Sequence, residues 1–205
     1  MTALAHEGDR DAHDMPGLDE VLWWAWQAME LPEGYRAEIV EGFIEVSPTG
    51  RRRHSVLANR LRRALDVHLA GSGHAAFQDV NVLHGHKVFI PDVLVAPEDL
   101  EEIPGPDGLG VDACGVALVA EVVSPGHDDR TRDLVRKRRA YARAGIPVYV
   151  IVDDHDGRGS VTVLSSPVPG EAVYTTEIRV AYGTDAAVPE GPAKGFVITE
   201  AVTGP

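Results

Sequence analysis

Val116-Ala117-Leu118-Val119-Ala120-Glu121-Val122-Val123-Ser124-Pro125 is an apolar run with one charged side chain, Glu121, near its middle. A short valine-rich run of this kind reads as a buried strand. Downstream, residues from about Asp129 to Ala144 carry a helical pattern that Gly145 and Pro147 close, and Val148 to Val152 form another short buried strand. Strand, helix and strand in this order predict a sheet with a helix packed on it. A carboxylate inside such a strand is costly unless a cation or hydrogen-bond donors meet it.

Upstream, the same problem recurs at Asp92. It follows Pro91, which fixes the backbone and withholds a donor, and it precedes Val93-Leu94-Val95. Ala76 to Leu83 and Lys87 to Ile90 also read as strands. A helix is expected from about His54 to Leu69, with Leu57, Leu61, Ala64, Leu65 and His68 at helical spacing. Before it, Tyr35 to Val46 alternates around Glu41-Gly42 as a hairpin, and Asp19 to Met29 reads as a short helix with Leu22, Trp26 and Met29 on one face. Its tryptophans fit core packing better than a platform for stacked bases. Residues 97–115 read as a loop rich in Asp, Glu, Pro and Gly. After Val152, Ser160 to Leu164 and Val173 to Ile178 are expected strands, and Phe196 to Ile198 a final one. Residues 1–17 are expected to be a mobile tail, and residues 18–202 a single α/β (α+β) domain with a mixed central sheet flanked by helices.

The 129–144 helix carries a placement that solubility does not explain. At about 100° per residue, Arg132, Arg136, Arg139 and Arg143 fall on one stripe, with Leu134, Ala140, Tyr141 and Ala144 opposite. Asp133 and Lys137, its internal acid and its lysine, lie within the apolar arc. They are one turn apart and suit an ion pair with each other. A lysine aimed instead at a carboxylate cluster would stabilise charge, orient a water or neutralise a phosphate. From the residues alone, Asp92 and Glu121 fit two roles. They either end strands and meet arginines, or hold a hard divalent ion through oxygen ligands.

The chain has 205 residues and a net charge of -13, from 19 basic and 32 acidic side chains. That balance argues against non-specific polyanion binding. Position changes the picture, because 13 of the 19 basic residues fall in two windows, Arg51 to Arg63 and Arg130 to Arg143. If the windows flank one cleft they favour a nucleic-acid partner. If they lie on separate faces, a small substrate or an interaction role gains. The single cysteine, Cys114, excludes an intrachain disulfide framework and a thiolate-rich metal site. The sequence shows no apolar run near the roughly eighteen residues of a membrane span and no basic, then apolar, leader. A cytoplasmic protein without a membrane partner is expected.

These residues resemble the Uma ("Uma two") family of restriction endonucleases, within the PD-(D/E)XK nuclease superfamily. The matching stretches are Tyr35 to Gly42, Ser47-Pro48 with His54 opening a helix, Pro91-Asp92, and Glu121 to Pro125. They continue with Arg132-Asp133, Lys137, Tyr141 to Pro147 and Tyr149 to Asp153, in consistent order over roughly residues 18–165. The resemblance implies a restriction-endonuclease-like core, a divalent metal, usually Mg2+ with Mn2+ as a substitute, and hydrolysis of DNA phosphodiester bonds. It makes Asp92 and Glu121 the motif acids and Glu38 the upstream acid, all three as metal ligands, with help from the Val122 carbonyl. The superfamily lysine stands two residues after the Glu, where this chain has Val123. The family pattern moves it to the next helix, making Lys137 the substitute.

On this reading Glu38, Asp92, Glu121 and Lys137 are the catalytic set. Arg51, Arg52, Arg53, His54, Arg132 and Arg136 are the expected nucleic-acid contacts, with surface capping the alternative role for His54. His127-Asp128-Asp129 is expected to cap the second helix. Two alternatives stay open: a nuclease-fold protein that binds without cutting, and a metal-dependent hydrolase of a small phosphorylated molecule. Double-strand cutting would favour a homodimer by two-fold symmetry.

Overall fold

The computed structural model describes residues 16–48, 52–124 and 131–204. Most of the expected tail, the proposed His127-Asp128-Asp129 cap, Arg51 and Arg130 lie outside them.

Helix α1 (Leu18–Gln27) is followed by the hairpin of β1 (Tyr35–Val40) and β2 (Phe43–Pro48). Glu41 and Gly42 join these strands with φ of 47° and 82°, the left-handed pair that a tight two-residue hairpin turn demands. Helix α2 (Arg52–Leu69) comes next, then β3 (His74–Phe77), β4 (Val82–His84), β5 (Lys87–Phe89) and β6 (Val93–Pro97). Short β7 (Val111–Asp112) precedes β8 (Leu118–Val122), the strand that carries Glu121. The next helix, α3, begins as a π-helical turn over Arg132–Lys137 and continues α-helically over Arg138–Arg143. The chain ends with β9 (Val148–Asp153), β10 (Ser160–Val168), β11 (Val173–Ala181), the pair β12 (Ala186–Ala187) and β13 (Val197–Ile198), and a last turn, α4 (Glu200–Thr203).

Two sheets form the frame. The larger has the order β11-β10-β9-β8-β6-β3 and the smaller β2-β1-β5-β4-β7. In the larger sheet β8 and β9 are parallel while the other neighbours are antiparallel, so α3 lies in the crossover that two parallel neighbours require.

Strand alternation sorts the core. Leu118, Ala120 and Val122 of β8 pack with Leu57, Leu61, Leu65 and Leu69 of α2. Val119 and Val123 turn the other way, toward Ala140 and Tyr141 of α3 and toward Val40 and Phe89 of the smaller sheet. Glu121 shares that second face. Leu61, 1% exposed, illustrates the strength of the α2 contact, since truncating a buried leucine costs roughly 2–5 kcal/mol.

Four expectations need correction. Residues 76–83 are not one strand: the chain breaks at Asp79 (φ 57°), so β3 joins the larger sheet and β4 the smaller. The 97–115 loop contains β7, which pairs with β4. Trp23, rather than Met29, is the buried anchor of α1, set against Ile39, Leu83 and Val88 with Leu22 and Trp26 beside it. Finally, His68 is exposed on α2 and Leu69 takes the inward position. Among the described residues no helix is long and apolar enough to cross a membrane.

Candidate active site

Glu38, Asp92, Glu121 and Lys137 meet in one buried cluster between β1, β8 and α3, each at most 6% exposed. Register explains the acids. Val93 pairs with Ala120 across β6 and β8, so Asp92 and Glu121 are the next residues along that ladder. Glu38 stands two residues before Val40, which packs between the sheets, so alternation turns it inward as well.

Lys137 is the centre of this cluster. Its Nζ lies 2.8 Å from Glu121 Oε1 and 2.9 Å from Glu38 Oε1. The Tyr141 hydroxyl donates to the same Glu121 oxygen at 2.5 Å, and the Ile90 N–H donates to Glu38 Oε1 at 2.6 Å. Burial alone would strip the lysine of its proton, but Glu121, Glu38 and Asp133 outweigh it and hold the ammonium charged, its pKa raised. Glu121 moves in the acid-weakening direction. Its burial, aided by Asp92, Asp133 and Glu38, outweighs Lys137 and pushes the carboxyl up to about 8.

Asp92 forms the second half of the site. Its Oδ1 meets Arg36 Nη2 at 3.2 Å, while its Oδ2 lies 2.9 Å from His54 Nε2 and accepts the Val122 N–H at 2.8 Å. Burial opposes its charge, yet His54, Arg36 and Lys137 together hold the carboxyl well below the usual range. For His54 the same contact runs in reverse. Burial would lower its pKa, but the hydrogen bond and charge of Asp92 raise it above the ordinary value.

Of the two roles open to Lys137, the carboxylate cluster holds it rather than Asp133, which has other partners. Asp133 is buried against Arg132, with Arg132 Nε at 2.9 Å, and its backbone carbonyl accepts the Tyr149 hydroxyl at 2.8 Å. Here too burial outweighs Lys137 and Arg132 and raises the carboxyl.

The helices that carry the basic windows, α2 and α3, pack against opposite faces of the larger sheet. The α3 arginines clasp the hairpin. Arg136 pairs with Glu45, Arg139 donates to both oxygens of Glu41 at 2.8 and 2.6 Å, and Arg143 reaches Glu41 at 3.3 Å. On α2, Arg53 pairs with Asp154 at 2.8 Å and donates to the Thr203 carbonyl, while Arg52 is exposed. Among the described residues expected to contact nucleic acid, His54 meets Asp92 and Arg132 meets the buried Asp133.

Arg36, Tyr141 and Tyr149 carry no assigned role in the sequence reading. Arg36 stands two residues before Glu38 on β1, so strand alternation alone would have placed both on one face. Asp92, His54 and Arg36 also line a cavity of about 400 Å3 whose remaining wall includes Ser55, Asn59, Gln78 and Asp79. Of the four clustered residues, Asp92 is the one that lines it.

A mixed sheet with acids at adjacent strands β6 and β8, and a crossover helix that brings a lysine to Glu121, fits a restriction-endonuclease-like domain. Comparison with known proteins agrees. The chain belongs to the Uma2 family, described as putative restriction endonuclease, whose model matches residues 23–197. Among solved structures, it is similar to a crystal structure described as a putative nuclease belonging to DUF820 from Anabaena variabilis. That likeness has a TM-score of 0.63 at 17% identity and covers 91% of this chain and 96% of the other. No curated protein matches the chain.

The donor set of Glu38, Asp92 and Glu121 is all carboxylate oxygen, which suits a hard divalent cation rather than a soft one. Among the described residues no three His, Cys, Asp or Glu side chains are gathered into a ready-made cage. Instead Lys137 meets Oε1 of Glu121 and of Glu38, while Arg36 and His54 meet Oδ1 and Oδ2 of Asp92.

Proposed function

We propose that this protein is a metal-dependent endonuclease that hydrolyses DNA phosphodiester bonds. The carrying observation is the Lys137 ammonium, 2.8 Å from Glu121 and 2.9 Å from Glu38 although it is absent from the usual strand position. Asp92, Glu121 and Glu38 would hold Mg2+, with Mn2+ as a substitute. Such an ion lowers the pKa of a bound water and offsets charge on a phosphate.

The chain's own groups supply the remainder. Lys137 stays protonated, so it orients the attacking water and offsets developing negative charge instead of acting as a base. Arg36, and His54 when protonated, line the cavity with Asp92 and present positive charge to an entering phosphate. Tyr141 and the Ile90 N–H hold the two glutamates in position.

The separation of the basic windows favours one other reading, hydrolysis of a small phosphorylated molecule at the same site. One set of assays tests both. The purified protein is expected to cut DNA with Mg2+ or Mn2+ and not with chelator, while Glu121→Gln and Asp92→Asn abolish cutting and keep the circular dichroism spectrum. Calorimetric titration with Mg2+ should show binding to the wild type that Glu121→Ala removes. Cutting that survives both substitutions would assign it to a contaminant. Hydrolysis of small phosphoesters with no DNA cutting would select the second reading.

A further inference from the structure

A second cavity, of about 470 Å3, adjoins the first through a shared wall residue, Arg36. Its lining is mainly apolar, from Trp26, Met29, Leu31, Ile90 and Leu109, with Gln27 and Arg36 as its polar side chains. The indole of Trp26 is held in place, stacked on Trp23 at 5.5 Å and donating its N–H to the Ala37 carbonyl at 2.9 Å. Arg36 reaches Asp92 through Nη2, whereas its Nε, shielded from solvent, has no hydrogen-bond partner among the described residues. A buried donor left unmade is unfavourable, so a ligand acceptor that the Arg36 guanidinium turned to meet would gain there. The volume falls within the roughly 300–1,000 Å3 typical of small-ligand sites.

We infer that this cavity receives one unstacked nucleobase of the substrate strand, next to the phosphate held at Asp92, with Arg36 contacting both. The inference rests on the nucleic-acid reading above. A base supplies the two properties that the walls call for, a flat apolar ring for Trp26, Met29 and Leu31 and ring or carbonyl acceptors for the Arg36 N–H. A phosphate alone would leave the apolar wall unused. A purely apolar ligand would leave the Arg36 donor unmet.

The test uses single-stranded and duplex oligonucleotides with 2-aminopurine placed in turn at each position around the cleavage point, with cleavage blocked by omitting metal. Binding to the wild-type protein should change 2-aminopurine emission at one position. An abasic site there should weaken binding about tenfold, and Leu31→Trp or Met29→Trp, which fill the cavity while leaving the carboxylate cluster intact, should weaken intact DNA to the same degree. The abasic arm needs no variant, so it stands even if a filling substitution misfolds. DNA that binds with no position-specific emission change, and with equal affinity for abasic strands, overturns the inference while leaving the nuclease reading standing. Failure of every oligonucleotide to bind overturns both.

Discussion

The ammonium of Lys137 lies 2.8 Å from the carboxylate of Glu121, although the two belong to different elements of a strand-helix-strand unit. In the usual superfamily arrangement, acid and lysine share a strand and face one way by alternation. Here the helix supplies the lysine. The contact therefore depends on how the crossover docks, and Lys137 is the last residue of the π-helical turn over Arg132–Lys137. Such turns are commonly found at functional sites.

Lys137→Met should be strongly destabilising as well as inactivating. It leaves Glu38 and Glu121 buried without their shared cation, a loss typically worth about 3–5 kcal/mol. Urea denaturation of the metal-free protein would measure it. A loss below about 1 kcal/mol, within the range of exposed pairs, would show that the two glutamates do not rely on the ammonium.

Stability of the metal-free protein should fall as pH rises. Glu121 sits at about 8 when folded against an ordinary value of 4.5, so its contribution is complete below 4.5 and is lost as pH climbs through 8. His54, raised above 6.5, acts in the same direction. Asp92 acts oppositely, but only in acid, since its folded value is depressed below 3.8. Between pH 5 and 9 in chelator, unfolding free energy should drop by at least about 1.4 kcal/mol, the equivalent of one pKa unit. Glu121→Gln should flatten most of that slope. An equally steep profile in the variant would place the titrating group elsewhere.

Tyr141→Phe isolates the hydroxyl that donates to Glu121 at 2.5 Å, with little change in the ring's packing. Removing the donor leaves a buried acceptor unmet, which costs about 1–3 kcal/mol. Thermal denaturation should show a loss of that order, and Mg2+ affinity should change with it. An unchanged melting temperature would mean that the contact contributes nothing net.

The arginine stripe offers a test by absence of effect. Arg139 and Arg143 already pair with Glu41, so the double substitution Arg139→Ala, Arg143→Ala should shift DNA affinity less than about twofold and leave its salt dependence unchanged. Arg36→Ala should weaken binding at least about tenfold. A steep loss from the double substitution, with a shallower salt slope, would return the stripe to the nucleic-acid surface.

Much of the site can be read along the chain, because a buried strand tolerates few reasons for a carboxylate. Asp92 beside Pro91, Glu121 inside a valine run, and Lys137 on the apolar arc of a helix each break a local pattern, and all three converge. The helix and strand order was legible for the same reason, apart from strand β7 within residues 97–115 and the break at Asp79 that sends β3 and β4 to different sheets. What local pattern could not decide was partnership. Whether Lys137 meets Asp133 or Glu121, whether His54 caps a helix or holds Asp92, and whether the α3 arginines face solvent or the hairpin all depend on contacts between residues far apart in sequence. Side-chain period reports which face a residue occupies. Only the packing of two sheets around α3 determines what that face meets, since desolvation makes each buried charge take the partner that docking brings within reach.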